Sequence, residues 1–168
     1  MNNIILVGYM GCGKTTVGKN VAKNKSFTFI DTDEMIEKQQ GKKISEIFDK
    51  NGEAAFRDME TEYLKQLLGS KQENLVISTG GGMAVREENR KLLAKLGRVI
   101  YLKVSPEVVY DRLKTDTTRP LLQCDDPLQK IKDMIAIRGS IYESAADEII
   151  CVDELKQSEI AEIICNRD

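Results

Sequence analysis

Eight residues near the start of the chain, Gly8-Tyr9-Met10-Gly11-Cys12-Gly13-Lys14-Thr15, set two glycines around four residues and follow them with Lys and Thr. That spacing is the pattern of a loop that cradles phosphate groups. Glycines let the backbone approach an anion and turn its N–H groups inward. A helix starting at Lys14 adds the positive end of its dipole. Lys14 brings a mobile charge for outer phosphates, and the Thr15 hydroxyl suits Mg²⁺. Gly11, Cys12, Gly13, Lys14, Thr15 and Thr16 are therefore the candidate nucleotide contacts. A glycine-rich strand–helix turn with no ligand would share some of these residues. The neighbours decide between the two. Ile4-Ile5-Leu6-Val7 reads as a buried strand and Thr16–Lys25 as a helix, which is the frame such a loop needs. A nucleoside triphosphate is the expected ligand.

Further residues carry weaker signals of a second substrate. The second strand candidate runs into Asp31-Thr32-Asp33. In a parallel sheet ligands collect beyond the C-terminal strand ends, so both carboxylates should lie near the phosphate loop. One could support Mg²⁺ and the other could orient or deprotonate a hydroxyl acceptor; helix capping explains one Asp equally well. Arg57 and Glu60 are three apart on a helix and share a face. An Arg held in this way suits a carboxylate or phosphate, although an exposed helical ion pair has the same spacing. Gly80-Gly81-Gly82 follows the third strand candidate and could press backbone N–H groups on a small ligand, or simply make a flexible turn. No acidic residue ends that strand, so Mg²⁺ support falls to Asp31. Arg119 lies in a polar, turn-rich stretch, Thr115–Asp126, that reads as a lid or as an ordinary surface loop. A lid Arg is well suited to a moving phosphoryl group. Arg112 precedes that stretch and could stack on a base or contact phosphate; Arg138, with Tyr142 one turn later, could offer a second cation for an anionic substrate or be a solvated helical residue.

The elements that must position these groups alternate in type. Strands are expected at Asn3–Val7, Thr28–Ile30, Leu75–Ser78, Val99–Val104 and Glu148–Val152. Helices are expected at Lys14–Lys25, Glu34–Gln40, Ile44–Asp49, Glu53–Leu68, Arg86–Leu96, Pro106–Lys114, Pro127–Ser144 and Ser158–Asn166. Such alternation predicts an α/β fold, a parallel sheet covered by helices on both faces. Continuous apolar strands fit that arrangement. One domain over 1–168 is expected, with a helical substrate-binding insertion at about 32–68 and the lid at about 112–126.

Composition narrows the function classes. The 168 residues are 41% hydrophobic and carry a net charge of −2, enough for a real core. No basic block marks a nucleic-acid footprint, and no apolar run reaches membrane-spanning length. The first strand begins almost at once, which leaves no room for a signal peptide. Cys12, Cys124, Cys151 and Cys165 are scattered, so neither a zinc site nor a disulfide framework is expected, and a cytoplasmic location is the default. Cys12, beside a helix N-terminus, is expected to have a lowered thiol pKa and to be prone to oxidation or alkylation. There is no histidine, so a general base must be a carboxylate or another side chain.

Taken in order, Gly8–Thr15, Asp31-Thr32-Asp33, Ile47-Phe48, Gly52-Glu53, Phe56-Arg57-Asp58-Met59-Glu60, Gly80-Gly81-Gly82, Arg119-Pro120-Leu121-Leu122 and Arg138 with Tyr142 resemble shikimate kinase. The resemblance covers nearly the whole chain. It implies a P-loop three-layer α/β/α fold with a five-stranded parallel sheet. It implies Mg²⁺-dependent transfer of the ATP γ-phosphoryl group to the 3-hydroxyl of shikimate, on the route to chorismate and aromatic amino acids. By the same resemblance Asp33 holds the shikimate hydroxyls, and Arg57 and Arg138 bind its carboxylate. Gly80, Gly81 and Gly82 contact the ring, and Phe48 and Phe56 wall the pocket. Lys14 and Arg119 stabilise the transferring group, and Thr15 ligates Mg²⁺ with Asp31 in its outer shell. Arg112 lies by the adenine, and Lys156 or Gln157 takes the place of an Arg often found in the family's adenine-side loop. Glu60 orients Arg57. The family is usually monomeric, and neither a nucleic acid nor a membrane partner is expected.

Overall fold

A computed structural model describes residues 2–115 and 123–167. Its sheet has five strands, β1 (Ile4–Val7), β2 (Thr28–Asp31), β3 (Leu75–Ser78), β4 (Arg98–Lys103) and β5 (Glu148–Cys151), in the spatial order β2-β3-β1-β4-β5. Every neighbouring pair is parallel. The seven helices among the described residues are α1 (Lys14–Lys25), α2 (Thr32–Gln40), α3 (Ile44–Ser70), α4 (Glu87–Leu96), α5 (Pro106–Leu113), α6 (Pro127–Ala145) and α7 (Gln157–Cys165). None of them is long and apolar enough to cross a membrane.

Burial follows strand position. Every residue of β1 and β3 is buried, as are Val99 to Leu102 of β4, because these inner strands have helices on both faces. The edge strands β2 and β5 are mostly half-buried or exposed. At the N-terminal end of the sheet the buried Asn3 amide fastens three elements. It donates to Gln72 O at 3.1 Å and Leu96 O at 3.0 Å, and accepts from Leu75 N at 3.0 Å. The opposite end carries the candidate functional residues. Leu6 pairs with Ser78, and Ser78 with Asp31, so β1, β3 and β2 stop at one level. The residues that follow, Gly8, Gly80 and Asp33, emerge side by side at the crevice where α/β folds take ligands.

Element boundaries differ from expectation where a cap decides them. The α2 helix starts at Thr32, two residues early, because Asp31 Oδ1 accepts from Asp33 N at 3.0 Å and Glu34 N at 3.2 Å. Asp33 therefore sits in the first turn of a helix. The two helices expected between 44 and 68 are one element, α3, broken internally at Gly52 (φ 82°, ψ 168°). A short 3₁₀ turn, Met83–Val85, lies where a plain loop followed the third strand. Of the segment expected as a lid, residues 116–122, with Arg119, lie outside the described residues.

Candidate active site

The loop after β1 is shaped by backbone that only glycine adopts at low cost. Gly13 caps α1 in the left-handed region at φ 95°, and Gly11 lies at φ 77°. A Cβ on Gly8 would come within 2.8 Å of Leu102 O, so the chain there lies directly on β4. Lys14 folds back over the loop, donating to Gly8 O at 2.7 Å and Tyr9 O at 3.2 Å. Its ammonium thus sits among the carbonyls of the loop it belongs to. A cavity of about 400 Å³ opens beside it, lined by Gly11, Gly13, Lys14, Thr15 and Thr16 on one side. Asp31, Asp33, Ser78 and Gly80 line the other side. Backbone N–H groups at a helix start, one ammonium and two hydroxyls make this a site for a polyphosphate.

Cys12 behaves differently from its expectation. It is 1% exposed, its N–H donates to Tyr9 O at 3.2 Å, and its Sγ is 3.6 Å from Lys14 Nζ. The thiol is a packing element of the loop, and burial shields it from the reagents expected to reach it. Arg112 on α5 donates from Nη1 to Gly11 O at 2.7 Å, bracing the outside of the loop. Gln157 opens α7, and its Nε2 would stand 3.3 Å from a Cβ on Gly13. Both expected nucleotide contacts therefore flank the phosphate loop.

A second cavity, of about 200 Å³, adjoins the first. Met10, Asp33, Gly80 and Gly81 line both. Phe56, Arg57, Glu60, Gly82, Arg138 and Ile44 complete the smaller one. Phe48 packs against Phe56, their ring centroids 5.1 Å apart, and Phe56 is the one of the two that lines the cavity. Arg57 is held on one edge by Glu60, Nη1 to Oε2 at 2.8 Å, and on the other by Glu53, Nη2 to Oε1 at 3.3 Å. Its guanidinium lies flat against the glycine turn. A Cβ on Gly82 would fall 2.5 Å from Arg57 Cζ, and one on Gly80 would fall 2.6 Å from Asp33 Oδ1. At both positions a side chain would displace the Arg57 guanidinium or the Asp33 carboxylate from where it now sits. At Gly81 the nearest atom would be Arg138 Nη1 at 3.7 Å, an ordinary contact.

The turn's own bonds limit what it can offer a ligand. Gly80 N–H donates to Thr32 Oγ1 at 3.1 Å, and Tyr142 Oη donates to Gly81 O at 2.5 Å. Gly80 N–H and Gly81 O are thus already engaged within the protein. Tyr142 also bonds Arg138 and stacks obliquely on Tyr101, which fixes α6 to the turn. Thr32 and Met10 escaped the sequence reading. Thr32 sits between two aspartates with stronger chemistry, and the phosphate-loop spacing leaves the type of residue at Met10 open.

Two carboxylates in the smaller cavity are unusual. Burial, then the neighbouring Asp31, pushes Asp33 up to about 6, against the pull of Lys14 and Arg57. Burial likewise pushes Glu60 up to about 7, although Arg57 pulls it down. Arg57 loses by burial and gains more from Glu60, so it is held charged. One oxygen on each carboxylate, Asp33 Oδ1 and Glu60 Oε1, is buried without a hydrogen-bond partner among the described residues. An unpartnered buried carboxylate oxygen is costly, and such groups concentrate at functional sites.

The geometry can be set beside known proteins. The shikimate kinase family model matches residues 10–167. Shikimate kinase of Thermodesulfovibrio yellowstonii is 48% identical over 98% of this chain and 93% of its own length. The structure of shikimate kinase from Acinetobacter baumannii in complex with shikimate superposes with a TM-score of 0.90 at 39% identity, covering 98% of this chain and 90% of that one. A gluconokinase from Sinorhizobium meliloti, at TM-score 0.53 and 16% identity over 96% of this chain and 87% of its own, shares the fold alone. A five-stranded parallel P-loop sheet, two adjoining cavities and relatives matched along almost their whole length lead to one conclusion: the chain belongs to the shikimate kinase family.

Proposed function

We propose that the chain transfers the γ-phosphoryl group of ATP to the 3-hydroxyl of shikimate, giving shikimate 3-phosphate and ADP in the synthesis of chorismate and the aromatic amino acids. The observation that carries the residue assignment is the position of Asp33 on the shared wall of the two cavities. The larger cavity takes the nucleotide phosphates against Gly11, Gly13, Lys14 and Thr16. The smaller takes shikimate, with Arg57 and Arg138 on its carboxylate and the Gly80–Gly82 turn against its ring. A hydroxyl held by Asp33 then lies between the bound ring and the phosphates. Raised to about 6, Asp33 is ionised at neutral pH and still basic enough to take up a proton.

Catalysis is mostly positioning and charge stabilisation, since phosphoryl transfer asks little covalent chemistry of a protein. Lys14 moves from the loop carbonyls to the outer phosphates. Arg119 is assigned to the transferring group by the family resemblance alone. The oxygens of Thr15 and Asp31 face one cavity and form a donor set of the hard type Mg²⁺ prefers. When bound, Mg²⁺ neutralises charge on the β- and γ-phosphates. Arg112 and Gln157 border the nucleotide where the adenine end leaves the loop. The 32–68 insertion supplies the acceptor pocket, the 112–126 segment serves as lid, and the enzyme works as a cytoplasmic monomer. Phosphorus NMR and mass spectrometry of the product test the assignment. A single monophosphate on the 3-hydroxyl supports it; ATP hydrolysis without phosphorylated shikimate contradicts it.

A further inference from the structure

A buried polar chain runs behind the acceptor pocket and touches neither cavity. Asn89, on α4, is 0% exposed and Thr61, on α3, is 5% exposed. Asn89 Nδ2 donates to Met83 O at 2.9 Å, and Thr61 Oγ1 lies 2.7 Å from Asn89 Oδ1. A carbonyl can only accept, so Met83 fixes which way the Asn89 amide points. Asn89 Oδ1 is then the acceptor, and the Thr61 hydroxyl must give it its proton. That proton is the only one Thr61 has, so Thr61 Oγ1, 3.1 Å from Arg57 O one helical turn back, is tied to Arg57 through the α3 backbone and not by a second hydrogen bond. Arg86 closes the chain from outside, donating to Asp58 Oδ1 at 2.7 Å and reaching Thr61 Oγ1 at 3.5 Å.

The two ends of this chain are the two walls that hold the acceptor. Met83 directly follows Gly82, and its N–H donates to Gly80 O at 3.1 Å, so its peptide closes the glycine turn. Arg57 lies flat on that same turn. The guanidinium occupies the space a Gly82 side chain would take, so a shift of α3 against the turn changes how the guanidinium rests on Gly82. Neither the phosphate loop nor Asp33 is attached to the chain. Thr32, bonded to Gly80 N–H, ties the turn to α2 by a separate route.

We propose that Asn89 and Thr61 are positioning residues that set the distance between Arg57 and the glycine turn, and thereby the affinity for the carboxylate of the acceptor. This deepens the proposed shikimate kinase activity and rests on it. The two residues act through Arg57 and touch no substrate.

Asn89→Leu and Thr61→Val keep shape and remove the bonds; Thr61→Ser keeps the hydroxyl. Steady-state kinetics of wild type and all three variants should show the KM for shikimate raised about five- to tenfold in the first two, with KM for ATP unchanged and kcat within about twofold. Thr61→Ser should restore the wild-type value. In an Arg57→Ala background Asn89→Leu should have little further effect on shikimate KM, since the residue it acts through is gone. Equal changes in both KM values, or wild-type shikimate KM in a folded Asn89→Leu or Thr61→Val protein, would overturn the inference. The ¹⁵N resonance of Arg57 Nε in ligand-free protein separates this inference from the activity. It should shift or broaden in Thr61→Val and return in Thr61→Ser even if wild type proves inactive on shikimate. An unmoved resonance overturns the inference, whereas loss of shikimate-dependent turnover in wild type overturns only the activity it rests on.

Discussion

The loop at the phosphate cavity takes its shape from glycine backbone, whereas the adjoining acceptor cavity depends on four charged side chains from three separate helices. Around Gly11 and Gly13 the shape comes from left-handed glycines and a helix start, all within eight consecutive residues. Around Arg57 it comes from α2, α3, the turn after β3 and α6, brought together from positions 33 to 138. A backbone site can be specified locally, because dihedral preferences and N–H directions follow from neighbouring residues. A side-chain site needs long-range packing to place each charge, and that packing leaves carboxylates partly unsatisfied. The phosphate loop has satisfied its lysine on its own carbonyls, whereas the acceptor cavity keeps two buried carboxylate oxygens waiting.

The sharpest way to break this comparison is at its two cations. Lys14→Ala should lower kcat by about a thousandfold, because charge on the moving phosphoryl group is lost where preorganised electrostatics dominate. Stopped-flow or coupled turnover assays would show it. Arg57→Ala should act on the other side only. Its KM for shikimate should rise by about ten- to a hundredfold with nucleotide affinity nearly intact, measured by calorimetry with each ligand alone. If Arg57→Ala abolished nucleotide binding and spared shikimate, the two cavities would have been assigned the wrong way round.

The buried carboxylates give a smaller effect with opposite signs in activity and stability. In the proposed mechanism Asp33 acts ionised, so kcat/KM should fall as pH drops through about 6. For stability, Asp33 binds its proton more tightly folded than unfolded. Its contribution is therefore fully present below 3.8 and lost as pH rises through about 6. Glu60 behaves in the same way between 4.5 and about 7. Asp33→Asn should thus be inactive but gain melting temperature over wild type as pH rises from 5 to 8. A constant difference across that range would show that burial of Asp33 carries no such penalty.

The contrast also explains what could be read in advance. The sheet, its five strands and the phosphate loop followed from apolar runs and a contiguous motif. The acceptor residues came from the family resemblance, since Arg57–Glu60 alone has the spacing of any surface ion pair. What stayed hidden depended on tertiary contact. Thr32 has no visible role in the sequence until Gly80 N–H is seen against it, and Asn89 looks like one more polar residue on α4. Phe48, expected in the pocket wall, packs on Phe56, a contact that the sequence spacing alone does not give. Cys12 was read from its place near a helix start as reactive; only the packed loop shows it to be buried. The smallest prediction follows. Alkylation should label the exposed Cys124 and Cys151 well before Cys12, as read by mass spectrometry of ligand-free protein. Earlier labelling of Cys12 would mean that the loop opens readily.

The most direct test of the whole account is ADP production from Mg·ATP with and without shikimate, with gluconate and nucleoside monophosphates as alternative acceptors. The account predicts turnover that depends on shikimate and is negligible with the others. ATP binding with no shikimate-dependent turnover, or turnover driven by a nucleoside monophosphate, would contradict it.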